Sequence, residues 1–223
     1  MSHSPLTVEQ RRERERQDTR QTILDAAREL FIAEGYDGVS MRKVARKIGY
    51  SPTAIYDYFV DKEDLFLGLC HSDFHRLADS FAQLALVPDP VERLRGIGRG
   101  YVEFGLKNPN HYRMMFMTAH PCPSEAKLRD AQLGKGNPEE DAYAFLLLTV
   151  TQAMQVGAFR PELQDPHAVA QTLWAGTHGV VSLHIAKHDD DWVPWCPIRE
   201  RMELMLNGLL DGLLKSKDES KKD

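Results

Sequence analysis

Ser51, Thr53, Tyr56 and Tyr58 crowd hydroxyls and phenols into one short stretch, and Arg42, Lys43, Arg46 and Lys47 set four cations just before it. Residues 38–60 carry these four cations against Asp57, a local excess of 4 − 1 = +3 on a chain whose overall charge is −5. Hydroxyls give and accept hydrogen bonds without transferring a group, and cations attract phosphates. The pattern therefore suits recognition of a polyanion at one end of an otherwise acidic protein. Chemistry that transforms a substrate finds little support: there is no nucleophile elbow, no glycine loop for phosphates and no metal-ligand set.

These side chains must be carried on short helices. Apolar periodicity predicts an amphipathic helix over residues 18–34, stopped by Gly35-Tyr36-Asp37-Gly38. Ser40 then caps a helix over residues 41–48, Gly49 supplies a turn with positive φ, and Ser51-Pro52 opens a third helix over residues 52–58. Two short helices about a glycine turn make a helix-turn-helix, whose second helix enters the major groove of DNA. Val44, Ala45, Ile48 and Ile55 are apolar positions that pack it on the first helix, leaving Ser51, Thr53, Tyr56 and Tyr58 for DNA. Tyr56, Tyr58 and Phe59 can alternatively be core aromatics, and for Phe59 the core is the preferred place.

The run Ser40-Met41-Arg42-Lys43-Val44-Ala45, then Gly49-Tyr50-Ser51-Pro52-Thr53-Ala54-Ile55-Tyr56-Asp57-Tyr58-Phe59, then Asp61-Lys62-Glu63-Asp64-Leu65-Phe66 closely resembles the tetracycline-repressor (TetR) family over residues 18–67. The resemblance implies an all-α fold, with a helix-turn-helix DNA-binding domain and a larger helical ligand-binding and dimerisation domain. It further implies a repressor-type regulator of transcription. By position, Ser40, Ser51, Pro52, Thr53, Tyr56, Tyr58 and Lys62 match places where the family touches DNA, and Arg42 joins them on charge. Tyr50 departs from the small aliphatic residue usual in the turn, and Pro52 lacks a backbone donor. The expected partition is an arm over residues 1–17, flexible or helical, a DNA-binding domain over 18–66, an effector and dimer domain over 67–214, and a disordered tail over 215–223.

Two readings of the arm stand side by side. Arg11, Arg12, Arg14, Arg16 and Arg20 can enter a minor groove, or Thr7 and Gln10 can cap a helix laced by charge pairs with Glu13, Glu15 and Asp18.

Beyond residue 67, Asp89-Pro90, Asn108-Pro109, Asn137-Pro138 and Asp165-Pro166 each predict a helix start. Later helices are expected over 138–157, 166–187 and 197–214, with irregular connections over 119–136 and 188–196. Tyr101, Phe104, Tyr112, Met115, Phe116, Thr149, Met154, Trp174 and His178 are the candidate effector residues, with ordinary core packing as the alternative for any one. Trp174-Ala175-Gly176-Thr177-His178-Gly179 looks like the Trp-His-Gly segment of one C-terminal subclass of these regulators, and its glycines imply close approach of a helix or ligand. Ile198, Met202, Met205, Leu206, Leu209 and Leu213 form an apolar stripe that serves either the dimer or the core. The family resemblance favours a four-helix interface from two copies of 166–187 and 197–214.

His71 with His75, and His184 with His188, are spaced to share a helix face, yet no carboxylate or thiol completes a metal set. Cys122-Pro123 and Cys196-Pro197 resemble haem-regulatory dipeptides only weakly. Three widely spaced cysteines argue against a disulfide framework, and no apolar run suits a secretory leader or a membrane span. The expected protein is a cytoplasmic homodimer without cofactor. Its partners are a double-stranded DNA operator and a small, largely apolar effector. A helical-bundle enzyme or carrier is the runner-up, and a nonspecific DNA-packaging protein is disfavoured by a pI near 6.0.

Overall fold

A computed structural model describes residues 7–119 and 135–215; Cys122 and the expected tail beyond residue 215 lie outside them. The chain divides into two compact units, Met1–Ser72 with Arg113–Gln132, and Asp73–Tyr112 with Leu133–Asp223. The regular elements among the described residues are all helical, apart from one isolated antiparallel bridge between Phe159 and Leu214.

In the first unit, α1 (Val8–Gly38), α2 (Met41–Lys47) and α3 (Pro52–Tyr56) follow one another, and α4 begins at Lys62 and runs to Asp79. Helix α1 starts ten residues before the apolar pattern begins, because Thr7 and Gln10 form the capping box that satisfies its first amides. Of the two readings of residues 8–17, the helical one is found. Gly35 (φ 71°) breaks α1 where expected, and Gly49 (φ 72°) turns the chain between α2 and α3, both in the left-handed region that costs glycine nothing. Ser40 accepts from the Lys43 amide at 3.3 Å and Ser51 from the Ala54 amide at 3.2 Å, so each short helix has its N-cap. Helix α3 ends at Tyr56, two residues before its expected end. Ile23, Phe31, Val44, Ile55, Phe59 and Phe66 are buried together, and Met114 joins them. Phe31 stacks on Tyr36 and meets Phe66 edge-on, both at 5.6 Å between ring centroids.

In the second unit, a 3₁₀ turn (Ala82–Leu86) precedes α5 (Pro90–Lys107), the first half of α6 (Pro109–Phe116), α7 (Ala142–Gln155), α8 (Pro166–Lys187) and α9 (Ile198–Leu213). Asp89 and Asp165 cap α5 and α8 as their Asp-Pro pairs predict. The Asn137-Pro138 expectation fails: α7 starts at Ala142, because the Asp141 carboxylate accepts from the Tyr143 and Ala144 amides at 2.9 and 3.1 Å. Asn137 instead closes a turn, its carbonyl accepting from the Glu140 and Asp141 amides.

Close helix packing here depends on missing side chains. A Cβ on Gly98 of α5 would lie 2.3 Å from Leu206 Cδ2, and one on Gly176 of α8 would lie 2.4 Å from Leu209 Cδ1 and 2.9 Å from the Met205 sulfur. Gly176 therefore permits the approach its sequence context implied. Gly179 does not act this way, since an added Cβ would meet nothing within 4 Å. Of the stripe Ile198, Met202, Met205, Leu206, Leu209 and Leu213, Met202 and Leu206 are buried inside the unit and the other four are half-buried. The opposite side of α9 carries Leu204, 77% exposed. Arg99 grips Glu203 through two hydrogen bonds, at 2.6 and 2.9 Å, fastening α5 to α9 beside this core.

Candidate functional site

The first unit presents its polar side chains outward on a motif anchored from behind. Val44, Ala45 and Ile55 are fully buried, and Ile48 packs partly against the same core. With those positions buried, helical geometry leaves Arg42, Arg46, Ser51, Pro52, Thr53 and Tyr56 exposed. Tyr56 is 52% exposed, which removes it from the core, whereas Phe59 is 2% exposed and belongs there. Tyr58 is intermediate: its ring leans on the core and the Arg16 guanidinium stands 5.9 Å from its centroid.

The cations divide by partner. Lys43 pairs with Glu34 and donates to the Gly38 carbonyl, and Lys47 pairs with Glu29 at 2.8 Å, so both tie α2 to α1. Arg42 and Arg46 form no ion pair among the described residues. Lys62 donates to the Tyr36 carbonyl at 3.0 Å and lies 4.2 Å from the Tyr36 ring centroid, so one of its three donors is already engaged. Ser40 and Ser51 use an oxygen lone pair in capping, which leaves each hydroxyl proton able to be donated. The surface thus offers hydroxyl donors, a phenol and two cations around α3, a set suited to phosphate oxygens and base edges.

In the second unit, four of the sequence-derived effector residues meet in one hydrogen-bonded chain. Trp174 Nε1 donates to the Tyr101 hydroxyl at 3.0 Å, the Tyr101 and Tyr112 hydroxyls are 3.1 Å apart, and the Tyr112 hydroxyl is 2.6 Å from His178 Nδ1. An indole N–H can only donate, so Tyr101 accepts from Trp174, and the His178 tautomer sets which way the Tyr101–Tyr112 and Tyr112–His178 bonds run. Burial keeps these groups neutral. It pushes the Tyr101 phenol up to about 12, outweighing its hydrogen bonds with Tyr112 and Trp174, and pushes Tyr112 up as well, with Tyr101 adding to the effect. Burial also lowers the His178 pKa, favouring the neutral imidazole.

Other candidates stand apart from this chain. Phe104 and Thr149 are buried, Met154 is half-buried, and the Thr149 hydroxyl donates to the Phe145 carbonyl one turn back. Met115 and Phe116 are grouped with the first unit rather than the second. Tyr143, His167 and Gln171 escaped the sequence reading: the Tyr143 hydroxyl lies 2.9 Å from His167 Nδ1 and accepts from Gln171 at 3.4 Å, and its ring is 6.0 Å from Trp174. The spacing of His167, Gln171, Trp174 and His178 on one helix face was a signal for this group. The buried Asp73 carboxylate with His111 Nδ1 at 2.8 Å was also missed, its two members being distant in sequence.

His75 faces Asp79 at 3.6 Å, and the His184 and His188 rings are 4.7 Å apart. Among the described residues no group of three or more His, Cys, Asp or Glu could hold a metal ion. Cys196 is exposed and Cys70 half-buried. No helix among the described residues is long and apolar enough to cross a membrane.

Comparison with known proteins adds independent information. Residues 23–69 match the family of bacterial regulatory proteins named tetR, and residues 94–209 match the tetracyclin repressor-like C-terminal domain. The transcriptional repressor AcnR of Corynebacterium diphtheriae is 43% identical over 68 residues, covering 30% of this chain and 36% of AcnR. The chain thus spans well under two thirds of that repressor. The transcriptional regulator UidR of Escherichia coli is 34% identical over 188 residues, covering 75% of this chain and 95% of UidR. FadR of Bacillus subtilis, solved in complex with stearoyl-CoA, has the same fold at 19% identity, with a TM-score of 0.69 over 86% of this chain and 98% of FadR. Matches to both parts of the chain, and a relative aligned along nearly its whole length, agree with the capped, glycine-turned helices: the chain belongs to the tetracycline-repressor (TetR) family of bacterial regulatory proteins.

Proposed function

We propose that the protein is a dimeric DNA-binding repressor of transcription, not an enzyme, which leaves a palindromic operator when a small, largely apolar effector binds. The observation that carries this reading is the exposed set Arg42, Ser51, Thr53 and Tyr56 on helices whose opposite faces are locked into the core. Residues 18–66 serve DNA and residues 67–214 serve effector and dimer, in the cytoplasm where the DNA is. Pro52 and Ser40 start the helices, and Tyr58 and Lys62 hold phosphates beside them.

The hydrogen-bonded chain of Trp174, Tyr101, Tyr112 and His178 supports effector sensing, because a ligand that offers His178 or a phenol a better partner favours a different arrangement of four side chains at once. Phe104, Thr149 and Met154 supply apolar surroundings in the same unit, and the Trp174-to-Gly179 segment supports a likeness to the Trp-His-Gly subclass. For the dimer, the exposed Leu183 and Leu204 on the outer sides of α8 and α9 replace the buried Met202 and Leu206.

Footprinting on the DNA upstream of its own gene tests the proposal. Paired half-sites centred roughly 34 Å apart are expected. Thr53→Ala should alter sequence preference, and Tyr56→Phe should weaken binding to every sequence alike. Protection of one unpaired site, or both variants binding as the parent does, would overturn it.

A further inference from the structure

The first half of α1 has no core to serve. Its first buried residue is Ile23, and residues 8–18 are exposed throughout. Yet this stretch repeats arginine at every fourth position: Arg12, Arg16 and Arg20 fall on one face, because four residues advance a helix by little more than one turn. Like charges at that spacing oppose helix formation. None of the three forms an ion pair among the described residues, whereas neighbouring Glu13 is engaged by Gln17 at 3.1 Å.

The row is also seated. The Arg20 guanidinium lies 4.9 Å from the Phe59 ring centroid, in space left open by Gly68: a Cβ there would fall 2.8 Å from the Phe59 ring and 3.0 Å from Arg20. One turn earlier, Arg16 stands over Tyr58, and one turn earlier again comes the exposed Arg12. The row therefore begins at the aromatic residues that end the recognition segment and continues the same surface outward.

We propose that this arginine row is a further DNA-contacting element, in which Arg16 and Arg12 bind backbone phosphates flanking the major-groove site and Arg20 is the anchor that positions them. It rests on the DNA-binding reading above, and extends it from the helix-turn-helix to the N-terminal half of α1. Unpaired cations held in line beside Tyr58 fit a row of phosphates, and the rigid helix that carries them reads no bases.

The test uses the full chain and a duplex that the parent protein selects from a random-sequence pool. Affinity is measured by fluorescence anisotropy across a salt series for the parent, Arg16→Gln, Arg12→Gln and Arg16→Lys. Each Gln variant should flatten the dependence of log K on log salt by about one, equivalent to about a 4-fold smaller loss of affinity for each fourfold rise in salt. The Lys variant should keep the parent's slope, and all should keep its sequence preference. An unchanged slope in both Gln variants, with or without weaker binding, overturns the proposal, as does a Lys variant that behaves like Gln. A parent that selects no duplex overturns the DNA-binding reading itself, a failure seen before any variant is compared.

Discussion

Tyr112→Phe removes one oxygen from the middle of a buried hydrogen-bond chain, and its cost follows from the two bonds that end there. The Tyr112 hydroxyl is hydrogen-bonded to the Tyr101 hydroxyl at 3.1 Å and to His178 Nδ1 at 2.6 Å. Each such bond contributes about 1 kcal/mol net, and breaking the Tyr101 bond in a buried setting adds about 1 kcal/mol more. His178 is half-exposed, so water can replace its lost partner. The ring itself keeps its place, Tyr112 being 0% exposed, which limits the change to the oxygen. The expected loss is about 3 kcal/mol. Tyr101→Phe should cost less, about 1–2 kcal/mol, because the Trp174 indole it leaves behind is 37% exposed and finds water. Urea unfolding at fixed protein concentration measures both, with a shifted midpoint at constant slope as the expected form. A proton NMR titration adds an independent readout: burial lowers the His178 pKa, and removing the Tyr112 oxygen beside its Nδ1 should move that titration. A Tyr112→Phe protein within about 0.5 kcal/mol of the parent, with the His178 titration unmoved, would refute the hydrogen-bonded chain.

Two further expectations concern packing and pH. Gly98→Ala would set a methyl 2.3 Å from Leu206 Cδ2, where Leu206 is itself 2% exposed. Overpacking of about 1–3 kcal/mol should outweigh the roughly 1 kcal/mol that alanine adds to helix propensity, so the thermal midpoint should fall; a rise would show slack between α5 and α9. Burial lowers the pKa of both His178 and His184 below 6.5, so the unfolded chain takes up protons first as pH drops. Stability should be level above about pH 6.5 and decline below it, and His178→Asn should flatten part of that decline in urea midpoints measured across the range. A midpoint that rises on acidification would contradict the sign.

What was legible in the sequence depends on interactions confined to a few neighbouring residues. Ser40, Gly49, Ser51-Pro52, Asp89-Pro90 and Asp165-Pro166 mark helix ends because a capping side chain or a positive φ acts on amides within three residues. The same locality explains why Gly35 was placed correctly and why the Thr7–Gln10 box could be recognised as one of two readings of the N-terminal arm. Where two local signals competed, at Asn137-Pro138 and Asp141, the dipeptide pattern was the weaker, since only the Asp141 carboxylate reached two amides.

The stripe on α9 and the effector residues lay beyond that range. A period of 3.6 residues identifies Ile198, Met202, Leu206 and Leu213 as one face but carries no information about what covers it. Packing of Leu206 against Gly98, over a hundred residues earlier in the chain, turned that face inward. Likewise Trp174 and His178 were visible as one helical turn, whereas their hydrogen-bond partners Tyr101 and Tyr112 lie on other helices, 73 and 66 residues away. Helix caps are decided by the local chain, but a hydrogen-bonded chain of four side chains forms only when the tertiary fold brings their oxygen and nitrogen atoms within about 3 Å of one another.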